Sequence, residues 1–492
     1  MQIPFGEWLP DQPEYLNPGA NTANNVYFAR QSYKRFPSLV AYSSNNIGAN
    51  SRGAGSFRDN SNNVFNFVAN NTDIFQLDGG TFTSRKSSLT GTNTDYFTFT
   101  QFGQFVVASN GKDAAQYYEM GTSTNFANLS TIGTSGTVPV FKVSGVVRDF
   151  FVTGNHTNNS NRIQWSGIND LTTWQPGTKQ SDLQDLPGSG GQITHITSGE
   201  IGYVFRQNQI IRMDYVGGAT VFRLSVISPN RGAVLGRTVC QDNRRVFFYA
   251  DDGFYELNGD QVISIGAEKV NRFFDTDLNK AFSDRICAAV DPFNQLALWL
   301  YPSASNTANT TGICDKVIIY NYATQKWSTA DASASTIFSQ FVGAYTVELM
   351  DIISENLDAI NIALDTDFWN GGQLYLGAID SDFKAAIFSG TENEGTLETR
   401  ELELFPGHRS SITNIRPIVD ATSTVTISSK ERLADTATES SSSSMVASGD
   451  NPVRQSGRYF KIKVTTPSGS VWTHAQGVDL IASRIGLRWQ KK

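Results

Sequence analysis

Along residues 244–266, RRVFFYADDGFYELNGDQVISIG, apolar and polar positions fall into three short runs separated by two turns. Asp252-Gly253 and Asn258-Gly259 mark the turns, and such dipeptides supply the positive φ angles of tight hairpins. Phe254, Tyr255 and Leu257 suit one pleated strand, and Val262, Ile263 and Ile265 suit the next. The pattern predicts a three-stranded meander. A sheet that narrow makes no core by itself, so it must stack against something.

The same pattern returns along the chain. NVFNFVANNTDIFQLDGGTFTSRK occupies 63–86, and DYFTFTQFGQFVVASNGKDAAQYYEM occupies 95–120 around Asn110-Gly111. Residues 146–174 run VVRDFFVTG, NRIQWSG and LTTW, and 193–228 carry GYVFR, QIIRM and VFRLSVI. A last module spans 285–328, from RICAAVDPFNQLALWLY to DKVIIYNYATQKW. With the opening stretch these are six meanders at roughly 30–50 residue spacing, the signature of a β-propeller whose blades bury their faces against one another. They share pattern more than identity.

Two stretches break the strand pattern. In KVNRFFDTDLNKAF, Val270, Phe273, Phe274 and Leu278 follow a helical stripe, and VELMDIISENLDAI at 347–360 is a second candidate. Both are expected to be excursions between blades that pack on the ring.

After about residue 390, TLETRELEL, SITNIRPIV, STVTISS, RYFKIKV and VDLIASRIGLRW read as strands. Phe460, Ile462 and Val464 alternate with Lys461 and Lys463, giving one buried and one wet face. ADTATESSSSSMVASGDNP (434–452) is a low-complexity loop between them. The expected fold is all-β. It comprises an N-terminal arm and ring-closing segment over 1–58, a propeller of about six blades over 59–390, and a sandwich-like C-terminal β domain over 391–492. The Pro- and Asn-rich beginning of the arm suits lying across a neighbouring subunit or completing a blade. Phe5, Trp8, Tyr15 and Tyr27 are its candidate interface anchors, since buried aromatics often dominate interface energy. Packing on their own chain is the alternative.

Composition fits strands and turns: 17% of the residues are charged and 12% are aromatic. The formal net charge of −7 excludes a sequence-wide nucleic-acid clamp, which needs clustered Lys and Arg. Cys240, Cys287 and Cys314 are odd in number and far apart, so buried free thiols of a reducing compartment are expected. No basic region followed by an apolar stretch opens the sequence, and no apolar run reaches membrane-spanning length. Synthesis and assembly in the cytoplasm follow as the expectation.

Candidate chemistry is sparse. His156, His195, His408 and His474 lie in different modules with no HExxH or paired spacing, so no metal site is expected. Nothing matches GxSxG or GxxxxGK[ST]; LPGSGGQI at 186–193 lacks the lysine and reads as a turn. ADDGFYELNGD departs from the calcium-loop spacing. In WSGINDLTTW, Ser166, Asp170, Thr173 and Trp174 echo the Asp-box turn of sialidase propellers, but Ile168 stands where its aspartate belongs. Asp365/Asp367 and Asp380/Asp382 are the acid pairs that a glycosidase reading would use. Solvated turn carboxylates are the expectation, with no catalytic residue and no cofactor.

Several stretches, in their order along the chain, resemble the tail nozzle, or packaged-DNA stabilisation, proteins of short-tailed double-stranded DNA phages. They are FGEWLPDQPEYLNPGANTANNVY, FTQFGQFVVASNG with FANLS, RIQWSGINDLTTW, DDGFYELNGDQVISIGAEKVNRFF, VIIYNYATQKWS, ETRELELFPGHRSSITNIRPIVDA and GRYFKIKV…VWTHAQGV. The resemblance implies a propeller-based subunit without enzymatic activity, present as six copies around the tail axis of the virion. It also implies docking onto the portal–adaptor stack and contact with tail spikes or fibres. The physics agrees: a small propeller's own channel cannot admit a duplex, so double-stranded DNA must pass between subunits around a symmetry axis. An acidic wall lets DNA slide without sequence-specific binding. The competing reading is a host glycan-binding or glycan-cleaving propeller used for attachment, which calls for exposed aromatics in a concave pocket beside a converging acid pair.

Overall fold

Each predicted meander belongs to a four-stranded antiparallel sheet in the computed structural model, which describes residues 1–15, 17–341 and 374–485. In the stretch around Asp252, Arg245–Ala250, Gly253–Asn258 and Gln261–Ser264 pair in sequence, and Cys240–Asp242 adds the inner strand. The turn pairs Ala250 with Gly253, so Asp251-Asp252 are the loop residues and Gly253 already begins the strand. Gly259 takes the positive φ, 61°, that the second turn requires.

Among the described residues five such sheets stand separately and two more lie within a 14-stranded sheet, making a β-propeller of seven blades. The inner strands of the first six blades are Gly53–Arg58, Thr98–Phe102, Phe141–Val147, Ile193–Ile196, Cys240–Asp242 and Cys287–Asp291. In the third blade LTTW forms a turn, and the outer strand is Asp182–Asp185. The seventh blade, beyond the six meanders, is assembled from distant segments. Lys326–Phe341 is one 16-residue strand whose first half pairs with Cys314–Asn321 of blade six. Its second half is the inner strand of blade seven, paired with Leu374–Asp380. Ala385–Gly390 follows, and Ser38–Ala41 from the N-terminal segment supplies the outer strand.

Blade one therefore begins at Gly53, ahead of the expected boundary at 58/59, while the segment before it closes blade seven. The helical stripe at 269–282 yields a short helix, Asn271–Asp277, and a 3-10 turn, Lys280–Arg285. Phe274 is buried beneath them, against Phe254 and Tyr301. The stretch 347–360 lies outside the described residues.

The blades meet through apolar clusters that fill each gap in turn. Phe67, Val106 and Tyr118 join blades one and two, and Phe150, Ile163, Ile196 and Met213 join three and four. Between blades five and six the cluster does not stop at the propeller edge. Phe247, Phe254, Trp299 and Trp327 share one core with Phe460, Ile462, Val464, Val478 and Leu480 of the C-terminal region.

That region is a two-sheet sandwich, and the N-terminal arm is woven into both sheets. Gln2–Pro4 pairs with Ala475–Arg484, while Ala20–Asn24 pairs with Gly395–Thr399. The hairpin Val26–Ala29/Ser32–Arg35 joins the first sheet. In Tyr459–Thr466, Phe460 and Ile462 are buried while Lys461 and Lys463 are half-buried, as the alternation predicts. The 434–452 loop contributes Thr438–Glu439 and Ser443–Ser444 as short pairings onto Thr424–Lys430.

Candidate functional site

Among the described residues, the carboxylates Asp170 and Asp380 are held in turns. Asp170 accepts hydrogen bonds from Thr172 N at 2.8 Å and Thr173 Oγ1 at 2.9 Å, and it pairs with the Lys179 ammonium. Burial alone would raise its pKa; these donors outweigh burial and hold the carboxyl below the usual range. Trp174 is wholly buried behind it, so this is a structural turn. Asp380 accepts from the backbone N–H groups of Asp382 and Lys384, and Asp365/Asp367 lie outside the described residues.

His156 sits in blade three and His195 in blade four, while His408 and His474 belong to the sandwich. Among the described residues no group of three His, Cys, Asp or Glu side chains is arranged to hold a metal ion. All three cysteines are buried free thiols. LPGSGGQI wraps a side chain that no motif singles out. Arg206, fully buried, donates to the carbonyls of Pro187 and Gly191 and to Gln209 Oε1, each at 2.8 Å. The glycine-rich turn is a carbonyl cage for a guanidinium.

The four arm aromatics pack on their own chain. Phe5 and Trp8 are buried in the shared core, and Trp8 meets Phe273 edge-on with ring centroids 5.0 Å apart. Tyr15 stands edge-on to Tyr459, and the half-buried Tyr27 hydroxyl bonds Asn294 at 3.3 Å. Polar contacts fasten the arm as well: Lys269 Nζ lies 2.7 Å from Glu7, and Asp331 accepts from Asn24 and Asn25.

The concave feature that all seven blades share is the central channel. A cavity of about 380 Å³ is lined by the inner strands, including Phe57, Phe97, Phe99, Val143, Ala289 and Phe338. A liquid water occupies about 30 Å³, so this space holds small ligands and not a duplex. At the end where the inner strands begin, polar groups gather: Tyr96 before blade two, Thr194 and His195 of blade four, Arg237 before blade five, Thr336 of blade seven. Gly236 makes this gathering possible. A Cβ there would stand 1.9 Å from the Thr194 carbonyl oxygen and 3.2 Å from the Tyr96 hydroxyl.

No family model and no curated protein matches the chain. Among solved structures it is similar to a chain of a mitotic checkpoint complex, at 10% identity and a TM-score of 0.41 over 74% of this chain and 98% of that one. It is also similar to a chain in the structure of BBS1N in complex with ARL6DN, at 10% identity and a TM-score of 0.41 over 72% and 95%. Among the described residues no helix is long and apolar enough to cross a membrane.

Proposed function

We propose that the protein is a structural, non-enzymatic subunit of a short-tailed phage tail. Six copies form a ring below the portal–adaptor, seal the packaged genome and conduct it during ejection. The observation that supports this best is the single core running from blades five and six into the sandwich, threaded by the arm. A channel wall under load needs a subunit whose parts cannot slide apart, and a shared apolar core with woven strands supplies that. The propeller channel is too small for a duplex, so the conduit has to lie between copies, around their common axis. The net charge of −7 per copy keeps phosphates from adhering to such a wall.

The test is an image reconstruction of the assembled particle together with particles lacking this protein. Six copies around a DNA-filled axis, and genome loss without them, are the expected results. A single axial copy, or turnover of host polysaccharide by the purified chain, would overturn the reading.

A further inference from the structure

We propose that the mouth of the propeller channel is a binding site for a small free oxyanion of the phosphate type. Arg237 is its charged anchor, and Tyr96, His195 and Thr336 are its polar walls.

Arg237 is the permanently charged side chain in the lining of this cavity. It reaches from blade five to blade seven, where Nη2 donates to Thr336 Oγ1 at 3.0 Å. Among the described residues that is its one hydrogen bond, and no carboxylate lies within ion-pairing distance of it. A guanidinium carries five N–H donors in a planar fork, so most donors of this cavity-lining side chain are left without a protein acceptor among the described residues. The Tyr96 hydroxyl and the His195 imidazole line the same space and likewise have no hydrogen-bond partner among the described residues. Three donor-bearing groups from three parts of the ring thus meet around one void. Their common complement is an acceptor with several oxygens.

The surroundings favour negative charge. Lys142 Nζ lies 4.6 Å from the centroid of the Tyr96 ring, on a side chain whose pKa burial lowers. Two acids weigh against this: Asp95, which acts on Lys142 and is ion-paired to Lys112 at 2.6 Å, and Asp284. Burial pushes the Asp284 carboxyl up, with Arg237 opposing, and its ion pair, at 3.3 Å, is to Arg285. His195 is pushed down to about 4 by burial, so at neutral pH it offers one N–H donor and no charge. Tyr96 is pushed up to about 12 by burial, with Arg237 opposing, and stays a donor. A cavity of about 380 Å³ accommodates a phosphate with its bridging waters.

Calorimetric titration of the full chain with inorganic phosphate, at ionic strength held constant with chloride, tests the site. One site per chain is expected, weakened at least about tenfold in R237Q and about threefold in Y96F. Circular dichroism and melting confirm that each variant is folded. If R237Q does not fold, Y96F and H195A decide, and wild-type affinity in both overturns the site. Absence of phosphate binding by the wild type, or unchanged binding by folded R237Q, also overturns it. A 5′-phosphorylated dinucleotide separates the sources. Failure to compete at the wild-type site supports the free anion, and competition there overturns it in favour of a nucleic-acid phosphate.

Discussion

Arg206 Nη1 donates to the Pro187 carbonyl at 2.8 Å, which closes a fully buried guanidinium inside the turn that precedes its own strand pair. Carbonyl dipoles, together with Gln209, solvate this charge, and among the described residues no carboxylate pairs with it. Arg206→Met should lower stability by roughly 2–4 kcal/mol, because the Pro187 and Gly191 carbonyls lose their donors. Arg206→Lys should recover less than half of that, since an ammonium cannot span the same acceptors. Denaturant unfolding of both variants measures the difference.

Blade seven depends on four residues from far upstream. Val40, 9% exposed, pairs with Ile387 in the closing strand. Val40→Asp would place an unpaired carboxylate against Ile379 and Ile387, in the cluster that joins blades seven and one. A loss of about 3 kcal/mol or more is expected, with protease cleavage appearing first near residues 38–52. Limited proteolysis followed by mass mapping checks the location.

Trp8 separates two roles for the arm. Its indole is 3% exposed within its own chain and donates to the Asn21 carbonyl at 3.2 Å. Trp8→Ala should cost about 3–5 kcal/mol in the isolated subunit, before any assembly partner is present. An unchanged melting temperature paired with defective incorporation into tails would instead make the indole an intersubunit anchor.

His156 gives a pH signature. Burial, reinforced by Arg162, pushes its pKa down to about 4 from the ordinary 6.5, while its ring bonds Thr153 at 3.0 Å. Between those values the unfolded chain binds a proton that the folded chain does not. Stability from this group is therefore complete above pH 6.5 and is lost progressively as pH falls toward 4. His156→Gln should reduce the slope of that portion of the stability–pH curve and leave the contribution of His195, as read by thermal melts at half-unit intervals.

The meanders are legible in the sequence because each is local, strands following one another across short turns, and in three of them Asp78-Gly79, Asn110-Gly111, Asp252-Gly253 or Asn258-Gly259 marks a turn. Blade seven is not, since its four strands come from 38–41, 334–341, 374–380 and 385–390. No short-range pattern records a pairing between Val40 and Ile387. The arm aromatics carry the right signal, burial, but composition alone does not say against which surface. Arg237 is invisible for a different reason. GAVLGRTV reads as an ordinary loop, and the residue gains meaning only where Gly236 lets blades four and five approach Tyr96. The glycine-rich LPGSGG reads as a turn and is one, while its occupant, Arg206, follows some fifteen residues later in a strand with no mark of its own.

The sandwich strand Ser32–Arg35 and the closing strand Ser38–Ala41 are separated only by Phe36-Pro37, and Phe36 is clamped between the two bodies against Phe388. This short tether makes the sandwich the handle of a latch. At the other edge of blade seven the backbone of Lys326–Phe341 is unbroken, so covalent bonds join it to blade six. Traction strong enough to part the shared core from the blades would next reach the ring through this four-residue hydrogen-bonded edge. Peeling that edge would convert a closed ring into an open crescent while leaving six blades intact.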